Sequence, residues 1–136
     1  MPVTDDAGFD RLLDADTIAV VGCSTTPGKA AHDVPGYLQR QGYRVIPVNP
    51  FADEVLGEPA YDALGDVEEE IDLVVVFRPS ADVSSIVDET LDREDVDTVW
   101  LQLGIRDGEA GERVTDSGRR FIQDKCLKVE HQRLCD

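Results

Sequence analysis

The chain has 136 residues, 41% of them hydrophobic, enough for one domain with its own core, and a single domain over residues 1–136 is expected. Its 29 Asp and Glu outweigh 13 Lys and Arg, a formal net charge of -16, and with no cluster of cations to release counterions nucleic acid is excluded as a partner. No run approaches the ~20 apolar residues that cross a bilayer, and the start MPVTDDAGFD has neither the basic nor the apolar part of a signal peptide, so no membrane association and a cytoplasmic location are expected.

Along the chain, Asp6 to Asp14 carries Phe9, Leu12 and Leu13 behind acidic residues and predicts a short amphipathic helix. Thr17 to Val21 (TIAVV) is a continuous β-branched and apolar run, the pattern of a strand buried on both faces. After a loop over 22–29, Ala30 to Gln41 predicts a helix stopped at Gly42, with Pro35 placed near its first turn, where a missing N–H does least harm. Tyr43 to Val48 and Ile71 to Phe77 predict the second and third strands, and Ala52 to Glu70, broken by Gly57, Pro59 and Gly65, reads as a loop with short pieces. A helix over Ala81 to Leu91 follows, then a strand over Thr98 to Leu103 and a helix over Glu109 to Ser117. A short strand over Arg120 to Gln123 and a helix over Cys126 to Leu134 complete the series. Strands alternating with helices imply an α/β, Rossmann-like three-layer sandwich on a mainly parallel five-stranded sheet, with ligands bound outside the carboxyl ends of the strands.

The strand ends carry the chemistry. Gly22-Cys23-Ser24-Thr25-Thr26-Pro27-Gly28-Lys29 offers glycines for close backbone approach, hydroxyls, a cation and a following helix N-terminus, the ingredients of a phosphate cradle. Its spacing is neither that of a Walker loop, since five residues separate Gly22 from Gly28 and Ala30 follows Lys29, nor that of G-x-G-x-x-G, since Ser24 stands at the second glycine. Nucleoside triphosphate hydrolysis is therefore disfavoured. Asn49-Pro50 takes the place of the acid that bonds ribose in NAD-binding folds, either as a rigid turn or as a wall of a nucleotide pocket. Arg78 is an isolated cation at a strand end, suited to a surface ion pair or to a phosphate. Cys23 reads as a small buried hydrophobe or as a reactive thiol near a helix N-terminus. Three cysteines in such a chain predict reduced thiols, and the spacings of Cys126, His131 and Cys135 lack the paired geometry of a zinc site, so no metal is expected. Asp107 receives no role.

Taken together, Ala19-Val20-Val21-Gly22, Val45-Ile46-Pro47-Val48-Asn49-Pro50, Asp72-Leu73-Val74-Val75-Val76-Phe77-Arg78, Trp100-Leu101-Gln102-Leu103-Gly104 and Cys126-Leu127-Lys128-Val129-Glu130-His131 resemble the CoA-binding domain proteins. These are small stand-alone relatives of the nucleotide-binding domain of the succinyl-CoA synthetase α subunit. The resemblance implies a coenzyme A site with Gly22, Ser24, Thr25 and Lys29 beside the phosphates and Asn49, Pro50, Phe77, Arg78 and Pro79 around the nucleotide. Gln102 and Gly104 would lie nearer the pantetheine arm. The first loop departs from the family's commoner form in Gly28-Lys29. The ligase relatives pass a phosphoryl group through a histidine on a separate domain that this sequence does not include, so a non-catalytic module binding CoA or an acyl-CoA is expected. A homo-oligomer and a partner enzyme both remain open. The alternatives are an NAD(P)-binding oxidoreductase on the same fold and an interaction subunit with a vestigial pocket.

The acids are spread along the whole chain and only Lys29, Lys125 and Lys128 among the basic residues are lysines, the composition of a halophilic, salt-adapted surface. If that is its origin, screening of self-repulsion raises the melting temperature from low salt to molar KCl; a flat or falling melting temperature removes the reading.

Overall fold

The computed structural model describes residues 15–135, and the helix expected over Asp6 to Asp14 lies outside them. Five strands, β1 (Thr17–Val21), β2 (Arg44–Val48), β5 (Leu73–Val76), β6 (Thr98–Leu101) and β7 (Arg120–Ile122), form one sheet in the order β2-β1-β5-β6-β7 with every pairing parallel. The helices are α1 (Ala30–Arg40), α2 (Val83–Leu91), α3 (Gly108–Asp116) and α4 (Leu127–Cys135). This is the α/β, Rossmann-like architecture expected.

Alternation along buried strands separates two cores. Ala19, Val21, Ile46, Val74, Val76, Val99, Leu101 and Phe121 point to one face and pack under Val83, Ile86 and Val87 of α2 and Ala110 and Val114 of α3. Ile18, Val20, Val45, Leu73, Val75, Trp100 and Ile122 point to the other, under Val34, Tyr37 and Leu38 of α1 and Leu127 of α4. Pro47 is tolerated in β2 because β2 is an edge strand. The loop expected over 52–70 contains a small hairpin, β3 (Glu54–Val55) and β4 (Glu58–Pro59), turned by Leu56 and Gly57, both at positive φ.

Several elements are shorter than the sequence suggests, for local reasons. Ile71 precedes β5 because its N–H is taken by the Asp95 carboxylate at 2.7 Å. Ser80–Asp82 is a tight 3-10 turn that leads into α2, where a helix from Ala81 was expected. Asp107 is the N-cap of α3, its carboxylate accepting from the Ala110 N–H at 3.0 Å, so the residue without an assigned role has a structural one.

Arg93, just beyond α2, fastens the irregular 64–70 segment to the body of the fold. Its guanidinium donates to the carbonyls of Leu64 (3.1 Å), Val67 (2.8 Å) and Glu69 (2.9 Å) and pairs with Asp95 at 2.8 Å. A fork of fixed donors suits three carbonyls on a turning chain.

Two close contacts generate tests. Gly111 lets α3 lie directly on β7, since a Cβ there would stand 2.4 Å from Cε2 of the buried Phe121. Gly111→Ala gains helix propensity of about 1 kcal/mol but overpacks a core, which costs about 1–3 kcal/mol, so a net loss of stability is expected in denaturant unfolding; a gain would refute the close fit. On the other face, the Tyr37 hydroxyl and His131 Nδ1 lie 2.7 Å apart in the α1–α4 contact, with Tyr43 edge-on to the imidazole and Lys128 Nζ 5.6 Å from the Tyr37 ring centroid. Burial holds the His131 pKa below its ordinary value of 6.5. The unfolded chain therefore binds this proton more readily, and the stability it withholds is lost as pH falls below about 6.5 toward the depressed folded value. His131→Gln should show a shallower loss of urea midpoint than the parent between pH 7 and pH 5, and parallel profiles would count against the assignment.

Candidate functional site

From β1 the chain passes outward to β2 and then returns across the sheet to β5, so the order reverses beside β1. At such a reversal the loops leave in opposite directions and open a crevice at the carboxyl ends of the strands. A cleft of about 620 Å³ lies there, bounded by the loops after β1, β2 and β5, by Asp62 to Leu64, and by the first turns of α2. Gly22, Ser24, Lys29, Asn49, Pro50, Phe77 and Arg78 all line it.

Gly22 makes the convergence of these loops sterically feasible. Its φ is +86°, and a Cβ would lie 3.0 Å from Arg78 Cδ and 3.3 Å from the Phe77 carbonyl carbon. Its N–H donates to the Val48 carbonyl at 2.9 Å, tying the end of β1 to that of β2. The Asn49 side chain repeats the tie one residue on, its Nδ2 donating to the Cys23 carbonyl at 2.9 Å while its Oδ1 accepts from the Phe51 N–H at 2.8 Å.

The loop after β1 is anchored to α1 by an unusual bond. Pro35 is the sixth residue of α1, beyond the first turn where it was expected to be harmless, and it has no N–H for the carbonyl of Ala31. That carbonyl instead accepts from the Ser24 N–H at 2.9 Å. The Ser24 hydroxyl in turn accepts from the Thr26 N–H at 3.0 Å. The backbone N–H groups of Gly22 and Ser24, two residues expected beside the phosphates, are thus used within the fold. The opening of α1 supplies others: Lys29 is its N-cap without a side-chain cap, and the N–H groups of Ala30 and Ala31 have no intrahelical acceptor. Asp33 competes at this helix end, accepting from the Gly28 N–H at 3.1 Å, a bond that holds its carboxyl below the usual carboxylate range.

The charges on the cleft are mixed. Lys29 and Arg78 share the lining with Asp62, Asp82 and Glu89. Arg78 is half exposed and paired with Asp82, Nη2 to Oδ2 at 2.9 Å and Nε to the same oxygen at 3.2 Å. Arg78 is thus the surface ion pair of the first reading, and it sits on the wall of the cleft. Burial pushes the Cys23 thiol up to about 12, so at neutral pH it packs as a small hydrophobe and is not a thiolate.

Four of the expected site residues lie outside the cleft lining. Thr25 and Pro79 flank it. The buried Gln102 carboxamide oxygen accepts from the Leu127 N–H at 2.9 Å and so caps the start of α4, and the Gly104 N–H donates to Asp124 Oδ1 at 2.7 Å. The sequence reading missed Phe51, Asp62, Asp82 and Glu89. Asp82 was within reach of pattern, four residues beyond Arg78, and Phe51 directly follows Asn49-Pro50; Asp62 and Glu89 come to the cleft only through the fold.

The uncharacterized protein YneT of Bacillus subtilis (strain 168) is 40% identical to this chain over 114 residues, 84% of each. The α subunit of an ADP-forming acetate–CoA ligase II from Pyrococcus furiosus is 33% identical over 131 residues, covering 89% of this chain and 29% of the subunit. Among solved structures, cell-free ID.343 from Thermus thermophilus superposes with a TM-score of 0.90 at 42% identity, over 97% of this chain and 99% of that one. A hypothetical protein from Pyrococcus horikoshii OT3 gives 0.92 at 30% identity, over 100% and 97%. The family model described as CoA binding domain matches residues 16–132, and the chain belongs to that family.

Proposed function

We propose that the cleft beside β1 binds coenzyme A or an acyl-CoA, and that the protein holds this ligand without transforming it. The observation that carries the reading is the meeting, in one nucleotide-sized cleft, of the uncapped N-terminus of α1 with Lys29 and Arg78, in a chain of the CoA-binding family. A helix N-terminus and two cations suit a diphosphate; Val21, Val48, Leu64 and Ile86 on the same lining suit the apolar parts of the ligand. The ADP-forming acetate–CoA ligases that share this region are named for CoA, which supports the same ligand here. Cys23, the thiol on the cleft, is held protonated at neutral pH and makes a poor nucleophile, in keeping with binding alone. The competing NAD(P) reading lacks an acid at the end of β2, where Asn49-Pro50 stand instead.

Calorimetric titration with CoA and, separately, with NAD tests the reading, alongside native mass spectrometry of gently purified protein for a co-purified mass. In Arg78→Ala the ligand loses a charge-assisted bond worth roughly 1.5–3 kcal/mol, partly offset because Arg78 no longer has to leave Asp82. CoA affinity should fall about tenfold with the melting temperature little changed. Unchanged CoA affinity in the variant, or tighter binding of NAD than of CoA by the parent, would overturn the assignment.

A further inference from the structure

The charges on the cleft limit how much negative charge a ligand can bring. CoA carries a diphosphate and, on its ribose, a 3′-phosphate monoester of about -1.5 to -2 charge at pH 7. Against these stand Lys29 and an Arg78 already bonded to Asp82, with Asp62 and Glu89 on the same lining. Other guanidiniums are engaged elsewhere: Arg44 with Glu58 and Glu69, Arg106 with Asp124, Arg113 with Asp88.

In parallel-sheet dinucleotide folds the 2′ position of the ribose, next to the 3′ carbon that bears the phosphate in CoA, is read at the end of the second strand, by an acid where its hydroxyl is free and by an arginine where it is phosphorylated. Here that stretch is Asn49-Pro50-Phe51-Ala52-Asp53-Glu54, which has no cation and ends in two acids. Phe51 lines the cleft with 92% of its surface exposed. Its backbone is fixed by the Asn49 side chain, which is itself bound to the Cys23 carbonyl. An exposed ring on a nucleotide-sized cleft gives up apolar surface to water until something covers it, and a flat base does so by stacking whatever its charge. A phosphate dianion in the same place would find no cation in the 49–54 stretch to pair with.

We infer that the cleft reads the base and the diphosphate of its ligand and not a ribose 3′-phosphate, with Phe51 as a stacking residue where a ribose-phosphate reader would carry its cation. The ligand class is then an adenosine diphosphate derivative with or without that phosphate. The inference rests on the CoA reading above and narrows it.

Titrating the parent protein with CoA and with dephospho-CoA at about 0.15 M salt decides between them. Dephospho-CoA is expected to bind as tightly as CoA or a few-fold more tightly. Phe51→Leu should weaken both ligands together, about three- to tenfold, because stacking does not distinguish them. Phe51→Lys should shift the ratio toward CoA by about tenfold, a preference that fades at high salt as the new ion pair is screened. A parent that binds CoA tenfold more tightly than dephospho-CoA overturns this inference and leaves the CoA reading standing, and so does an unchanged ratio in Phe51→Lys. Binding of neither ligand by the parent overturns both.

Discussion

The cleft depends on the turn at Gly22. Three parallel strands end side by side there, and their loops can converge only if the middle one leaves the sheet without a side chain. The positive φ, the bond from its N–H to Val48 and the 3.0 Å approach of Arg78 to the position of a Cβ are three expressions of one constraint. A larger residue would be strained in its own backbone and would push the end of β5 away from that of β1.

A second constraint works one turn into the next helix. Proline inside a helix removes a bond and frees a carbonyl, ordinarily a cost. In α1 the freed carbonyl of Ala31 is the acceptor that holds Ser24, so the defect fastens the loop on which the cleft is built. The loop is consequently preorganised, while the uncapped opening of α1 stays available to an anion. The cations follow a related economy. Among the described residues most arginines are paired with carboxylates or carbonyls, as Arg93 is on the 64–70 stretch, and few of them face the cleft. A binding site on so acidic a protein has to work by local donors, because the field of the whole molecule repels anions.

Much of this was legible in the sequence because it is written in local pattern. Runs such as TIAVV and LVVV have the pattern of strands covered on both faces, and strands alternating with amphipathic stretches imply a parallel sheet with helices on its two sides. Residues immediately after the strands were identifiable as a candidate site for the same reason: the fold class fixes which ends of the strands meet. Family resemblance supplied the expectation of CoA, which pattern alone did not.

What only the tertiary structure decided is which of those residues face the cleft and which serve the fold. Gln102 and Gly104 occupy the expected strand end, yet their hydrogen bonds go to Leu127 and Asp124, because β6 has β7 beside it and α4 begins over its end. Asp62 and Glu89 reached the cleft from segments whose separation in sequence says nothing of their proximity. Periodicity determines which face of its own element a residue occupies, and that much the chain specified by itself. Which neighbour waits on that face depends on the order of strands in the sheet and on the path of the irregular 49–70 stretch, and those are settled only when the whole sheet packs.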